Sequence, residues 1–422
     1  MNKVLIVTYY WPPSGGAGVQ RWLKFSGFLP QFGWEPVILT VDPVYATYPF
    51  TDDSLVSSVP ENIKIHKTPA VDYFRLYLKD KSAIPSAGFA SGNNNSLKGK
   101  ISRFIRGNFF IPDPRRGWNK YALRKACEVI NNEKINHIIT TSPPHSTQLI
   151  GLKLKKKYPG IRWIADLRDP WTDIYYYSRF YPTFISKMID QGYETSVLAQ
   201  ADRIITVGPS LKDLFSSKVR GTGDKTDIIT NGYNEADFEN IKTGEPERLT
   251  ITYVGTLSEA YPVSGLVSAL KKIQNEGTEF ILRFTGKVSE KTRQEIIAET
   301  GSAFIDFIPY TDHKTALTYM VSSTVLLLII PEQKNNKCII TGKLFEYLAA
   351  GRPILCIGPS DGDAAKIIDI CKAGKTVGYR NSVEISSFLS NVTVYASMIN
   401  RNAVKKYSRS NLTKQITKTL ES

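Results

Sequence analysis

The segment Thr341-Gly342-Lys343-Leu344-Phe345-Glu346 holds the chain's most specific arrangement of chemically capable residues. Leu344 and Leu348, four apart, mark the buried stripe of a helix. Lys343 and Glu346, three apart, fall together on the other side. Thr341 or Gly342 starts that helix, and Gly351 ends it ahead of a strand opening at Pro353. A helix amino terminus offers unpaired N–H groups to an anion such as a diphosphate. A carboxylate one turn in can accept both hydroxyls of a ribose. A solvated Lys–Glu pair on a surface helix has the same spacing.

Four further constellations stand where a strand hands over to a helix. Ser14-Gly15-Gly16-Ala17-Gly18 lets backbone N–H groups approach a ligand closely, and Arg21 could add a cation. Its spacing matches neither G-x-G-x-x-G nor a Walker A loop, and a tight turn alone explains it equally. Thr141-Ser142-Pro143-Pro144-His145 places a histidine able to donate to a phosphate or a sugar hydroxyl; a capping or packing histidine is the alternative. Asp166-Leu167-Arg168-Asp169-Pro170-Trp171 offers Asp169 and Arg168 as site residues, or an Asp–Arg pair that holds a turn. Gly255-Thr256-Leu257 opens another glycine loop, again readable as a plain turn.

These sites need elements to position them. Lys3 to Thr8 is a near-continuous apolar run, the pattern of a strand buried on both faces. A glycine loop, a helix over 19–32 and a strand over 36–41 follow. Residues 42–119 read as irregular, with a Ser/Gly/Asn-rich mobile loop over 86–96. Alternation then resumes, with strands at 137–141, 162–166 and 203–207 and helices at 147–158 and 184–200. The second half repeats this logic with strands at 249–255, 280–285, 304–307, 324–330 and 353–357. Alternating strands and helices predict two doubly wound parallel-sheet domains, 1–230 and 231–399. A terminal helix over about 400–422 packs back on the first. Ligands of such sheets lie beyond the carboxyl ends of the strands, which makes a cleft between the domains the default site.

Composition sets the limits. A chain of 422 residues with 42% hydrophobic and 22% charged residues suits two globular domains of roughly 200 residues each. Lys and Arg outnumber Asp and Glu by 54 to 39, a net charge of +15. That surplus suits an anionic partner, whether nucleic acid, an acidic membrane face or phosphorylated small molecules, or equally a basic surface with no dedicated partner. Cys127, Cys338, Cys356 and Cys371 form no C-x-x-C pair and read as buried free thiols in a reducing compartment. His66, His137, His145 and His313 have no metal-ligand spacing. Asp361-Gly362-Asp363 imitates a metal-binding D-x-D, but its place between strand and helix favours capping. The amino-terminal apolar run is too short for a leader, and Val325 to Ile330 is far below spanning length. The expected location is cytoplasmic, with peripheral attachment to the inner membrane face. The stretch 98–125 supplies Lys98, Lys100, Arg103, Arg106, Arg115 and Arg116 beside Phe104, Ile105, Phe109 and Phe110, opposed only by Asp113. Such a stretch suits an anionic membrane surface or a solvated face over a core helix.

Taken together, these residues resemble the retaining glycosyltransferases of family 4, across essentially the whole chain. The likeness rests on Ser14 to Gly18, His145, the Gly255-Thr256-Leu257 loop and, above all, Lys343 to Pro353, which is similar to the family's E-x-x-x-x-G-x-P signature. It implies a GT-B fold of two Rossmann-like domains and a nucleotide-sugar donor, with a UDP-sugar expected, and no resident cofactor or metal. It further implies a glycan or lipid-diphosphate-linked acceptor, in surface polysaccharide or lipopolysaccharide synthesis. Carried over, Glu346 would hold the ribose. The backbone at Gly342 to Leu344, with Thr341 and Lys343, would face the diphosphate. His145 would meet the transferring sugar or its phosphate, and Gly15 and Gly16 would lie beside the diphosphate and acceptor. Two departures stand out. The family's first glutamate, spaced E-x7-E before Glu346, is replaced by Cys338, which leaves the sugar open. The Arg and Lys expected after the Gly255 loop are missing, with Ser264 in the lysine's place, so Lys287, Lys337 and Lys343 become the phosphate cations and Arg283 a weaker one. The rivals are a nucleotide-sugar epimerase of the same fold and a basic nucleic-acid binder; no helix-turn-helix, zinc or RNA-binding signature supports the second.

Overall fold

The computed structural model describes residues 1–76, 96–241 and 244–422. The Ser/Gly/Asn-rich piece lies outside them except for Ser96, as do residues 242 and 243. The chain divides into two compact units, residues 1–230 with 412–422, and residues 231–411.

The first unit runs β1 (Asn2–Val7), α1 (Ala17–Phe28), β2 (Trp34–Val41), β3 (Lys64–Thr68), α2 (Leu97–Phe109), α3 (Asn119–Glu133), β4 (His137–Ser142), α4 (Gln148–Lys157), β5 (Arg162–Leu167), α5 (Phe184–Gln200), β6 (Arg203–Thr206), α6 (Pro209–Lys218) and β7 (Thr226–Ile228). Its seven strands are parallel in the order β3-β2-β1-β4-β5-β6-β7. The span 42–119, read as irregular, in fact carries β3 and α2. β3 is an edge strand of sequence KIHKT, so it has no continuous apolar run to betray it. The central strands do: Val4 to Val7 and Ile164, Ala165 and Leu167 are fully buried, because helices cover both faces of a parallel sheet.

The second unit runs β8 (Leu249–Val254), α7 (Ser264–Asn275), β9 (Phe280–Thr285), α8 (Glu290–Thr300), β10 (Ile305–Ile308), α9 (His313–Val321), β11 (Val325–Ile329), α10 (Gly342–Ala350), β12 (Ile354–Ile357), α11 (Asp363–Ile370), β13 (Gly374–Val377), α12 (Ser382–Ser390), α13 (Val392–Met398) and α14 (Arg401–Lys405). Its parallel sheet has the order β10-β9-β8-β11-β12-β13. Hydrophobic clusters lie on both faces, one around Tyr253, Leu266 and Phe284 and the other around Leu328, Phe345 and Tyr347. The last helix, α15 (Arg409–Glu421), returns the chain to the first unit. There Leu412, Ile416 and Leu420 join the core around Val4, Trp22 and Ile229. The returning residues begin at Leu412, while 400–411 stay with the second unit.

In each sheet the first strand and the fourth are neighbours, and the strand order reverses between them. That reversal opens a crevice at the carboxyl ends. It lies between β1 and β4 in the first unit, and between β8 and β11 in the second.

Candidate functional sites

In the second unit, α10 begins beyond the carboxyl end of β11, next to the loop that follows β8. Thr341 is the helix's N-cap residue in extended backbone, yet its side chain caps no N–H. Its Oγ1 is shielded from solvent and has no hydrogen-bond partner among the described residues. A Cβ added at Gly342 would meet nothing within 4 Å. A helix amino terminus with no side-chain cap and an unused hydroxyl beside it has the groups to receive an anion. Leu344 and Leu348 are buried, as expected, and so are Phe345 and Tyr347.

Lys343 leans back over the β8 loop. Its Nζ donates to the Tyr253 hydroxyl at 2.8 Å and stands 4.1 Å from the centre of that ring. Tyr253 in turn donates to the carbonyl of Thr256 at 2.7 Å. Burial pulls the Lys343 pKa down to about 7, with Glu346 working the other way. Gly255 lies under this ammonium: a Cβ there would stand 3.0 Å from Nζ, and its φ of +114 suits glycine alone. The Tyr347 hydroxyl accepts from Val254 N at 2.9 Å, which ties α10 to the end of β8. Glu346 is partly exposed, and its Oε1 lies 3.0 Å from Nε2 of His313 on α9.

Of the other proposed phosphate cations, Lys337 and Arg283 are ion-paired and Lys287 sits on the loop next to Gly255. Lys337 pairs with Asp361. Arg283 pairs with Asp306 at 3.4 Å and stands over Tyr319. Lys287 is exposed, and its carbonyl accepts from Leu257 N. The D-x-D imitation resolves differently from a cap: Gly362 is the N-cap residue of α11, and buried Asp363 occupies the first turn near Lys366. Among the described residues no group of three or more His, Cys, Asp and Glu side chains is arranged to hold a metal ion. Cys356 and Cys371 are buried, whereas Cys127 and Cys338 are only partly so.

In the first unit the loops after β1, β4 and β5 converge. Asp166 at the end of β5 is the hub. Its carboxylate accepts from Arg21 (3.1 and 2.9 Å), Trp22 Nε1 (2.8 Å) and Thr141 Oγ1 (2.7 Å), all shielded from solvent. Arg21 also donates to the carbonyls of Ile229 and Thr230. It is therefore a structural tie and not the ligand cation its place in α1 suggested. Removing charges from water costs several kcal/mol per ion, which only a full set of partners offsets; Asp166 and Arg21 have that set.

Arg168 fills the gap between the loops. Its Nε donates to the Ser142 carbonyl at 2.9 Å, Nη1 reaches the Gly18 carbonyl at 3.5 Å, and Asp166 is 4.0 Å away. Burial lowers its pKa, with Asp166 opposing, and burial raises that of Asp169. His145 stacks on Trp171, ring centres 4.7 Å apart and 15° from parallel. Its pKa is pushed down to about 3 by burial, then by the charges of Arg168, Lys218 and Arg106. A neutral imidazole can give one hydrogen bond and accept another but brings no charge to a phosphate. Its Nδ1 is shielded and has no hydrogen-bond partner among the described residues. Trp171 is held by Asp190, which accepts from its Nε1 at 2.8 Å. The His145 turn is held by Asp113, which accepts from Ser146 N and Oγ, both at 2.8 Å.

At the glycine loop, Gly16 is the N-cap residue of α1, with φ +96 and no side-chain cap. Gly15 donates its N–H to the Phe50 carbonyl at 3.1 Å. A Cβ at Gly15 would collide with the Phe50 ring at 2.2 Å. The Gly15 amide is thus already used, and close packing against Phe50 accounts for glycine there. The roles of Trp171, Asp113, Tyr253 and His313 had no local sequence signal, since each depends on a partner distant in the chain.

No protein-family model and no curated protein matches the chain by sequence. Its fold does match solved structures. Anabaena HepE in complex with UDP and glucose is 12% identical, covering 100% of both chains with a TM-score of 0.60. Sucrose-phosphate synthase from Thermosynechococcus elongatus is 12% identical over 99% of this chain and 98% of the other, with a TM-score of 0.60. A Listeria monocytogenes structure described as a UDP-N-acetylglucosamine 2-epimerase is 11% identical over 100% and 96%, at 0.56. The chain has the GT-B fold, built from two parallel-sheet α/β units of seven and six strands.

Proposed function

We propose that this protein is a glycosyltransferase. It binds a nucleoside-diphosphate sugar, with UDP as the carrier, at the β8–β11 crevice of its second unit. The sugar passes to a glycan or lipid-diphosphate-linked acceptor, with retention of configuration and without a metal, during surface polysaccharide or lipopolysaccharide assembly. One observation carries the reading. The amino terminus of α10 is open and uncapped, with the unpartnered Thr341 hydroxyl, Lys343 and Glu346 arrayed around it. In this reading the N–H groups of Gly342 and Lys343 meet the diphosphate, joined by that of Leu344 as it leaves the Thr341 carbonyl it donates to at 3.2 Å, and the Lys343 ammonium neutralises charge as the leaving group departs. Glu346 accepts the ribose hydroxyls in place of its bond from His313. In the first unit, neutral His145 donates to the transferring sugar, and Arg168 and Asp169 shape the surroundings. The replacement of the expected first glutamate by Cys338 leaves the identity of the sugar to experiment. The basic stretch 98–125 would bring the enzyme to an acceptor held at an anionic membrane.

The Glu346–His313 pair favours one rival, since a carboxylate beside an imidazole suits proton abstraction in an epimerase. Incubation with UDP-sugars and a lipid-linked acceptor fraction separates the two. The transferase releases UDP and adds the mass of one sugar to the acceptor. An epimerised donor with no acceptor product would overturn the reading.

A further inference from the structure

The first unit displays an apolar face with no role in the site just described. On α2, Leu97, Ile101 and Phe104 are exposed at spacings of four and three residues, so they share one side of the helix. No residue of α2 is fully buried. The stripe continues to Asn108, one turn beyond Phe104. Asn108 joins α2 to the start of α5: it donates to the Tyr181 carbonyl at 3.0 Å and accepts from Thr183 N and Ser186 Oγ, both at 2.8 Å. Gly107 packs so closely on Phe180 that a Cβ would lie 2.3 Å from its carbonyl oxygen. From this junction α5 sets out with Phe184, Ile185 and Met188 exposed at 77%, 66% and 57%.

Among the described residues of α2 and the start of α5, the exposed charge has one sign. Lys98, Lys100 and Lys187 are exposed beside the apolar side chains. Arg103 and Arg106 stand over the Tyr181 and Phe180 rings at the junction. α2 contains no acidic residue. The acids nearest on α5 are turned inward, where Asp190 receives Trp171 and Tyr177, and Glu194 receives Lys218 and Thr172. An exposed apolar patch of this kind marks an interaction surface, and its lysine rim selects an anionic partner. Large apolar side chains among lysines, with no acid between them among the described residues, complement the boundary of headgroups and acyl chains in an anionic bilayer.

We infer that the α2–α5 junction docks the first unit onto an anionic lipid bilayer, with Phe184, Ile185 and Met188 entering the headgroup boundary and Lys98, Lys100 and Lys187 meeting the lipid phosphates. The inference deepens the membrane part of the reading above by adding the start of α5 to the basic stretch. It does not depend on the donor site.

Flotation of the full chain with vesicles tests it. Binding is expected to vesicles of phosphatidylcholine with 30% phosphatidylglycerol and to be at least tenfold weaker to phosphatidylcholine alone. Lys98→Gln with Lys100→Gln should weaken binding about tenfold or more and flatten its salt dependence. Phe184→Ser with Ile185→Ser should weaken it as much and keep the salt dependence. Both variants should retain the melting temperature and UDP affinity of the unchanged protein. Anionic vesicles that fail to bind the chain, or bind both variants equally well, would overturn the inference. So would a concentration-dependent dimer abolished by Phe184→Ser with Ile185→Ser, which would assign the face to a second copy. Vesicle binding without any UDP affinity would sink the transferase reading and leave this one standing.

Discussion

Lys343 holds its proton weakly, because burial against Tyr253 costs the charged form more than Glu346 returns. With a pKa near 7 it is largely neutral at pH 8.5 in the free protein. A diphosphate restores the charge, so binding above pH 7 should take up a proton and affinity should fall as pH rises from 7 to 9. Calorimetry in two buffers of different ionisation enthalpy reads that proton directly. The same depression has a sign for stability. The cost of holding the charge is fully present below about pH 7 and is relieved as pH climbs towards the ordinary lysine value of 10.5, so this group favours the folded state more at pH 9 than at pH 7. His145 is the opposite case. It stays neutral through the physiological range, so its titration should leave no inflection in kcat between pH 5 and 8. His145→Ala should still lower kcat, by roughly ten- to a hundredfold, through loss of a hydrogen bond to the sugar. An inflection near pH 6.5 that vanishes in His145→Ala would contradict the assignment of a neutral donor.

At the scale of elements, Asp166 ties β5 to α1 through Arg21 and Trp22, and to β4 through Thr141. Asp166→Ala leaves a buried guanidinium without its carboxylate and should cost about 3–5 kcal/mol in denaturant unfolding; a loss under 1 kcal/mol would show the hub to be dispensable. This hub also shows where sequence reading stops. Asp166 and Arg168 stand out locally as charges beyond an apolar strand. That Asp166 belongs to Arg21, 145 positions away, and that Asp113 holds Ser146 are products of tertiary packing. The elements divide the same way. Val325 to Ile329 is legible as a strand because both its faces are buried. β3, β7 and β13 are short and near or at sheet edges, so their sequences mix polar with apolar residues and show no run. The helix from Gly342 to Ala350 is legible end to end because Gly351, in left-handed backbone, stops it.

At the scale of the molecule, the same strand order appears twice, and each reversal point gathers one set of the residues whose types suggested chemistry. The chain then sends α15 back to the first unit, where Leu412, Ile416 and Leu420 are buried. Each such side chain contributes about 1.5–3 kcal/mol when buried. Deleting residues 412–422 should therefore lower the melting temperature of the first unit strongly while UDP binding by the second persists. Unchanged melting would show that the return is ornamental. Whether α10 carries the donor site is decided by titration calorimetry of UDP against the unchanged protein and Glu346→Ala. UDP should bind the unchanged protein, and Glu346→Ala should weaken it by at least tenfold with the melting temperature retained. Equal affinity in the two proteins would remove Glu346 and α10 from the donor site.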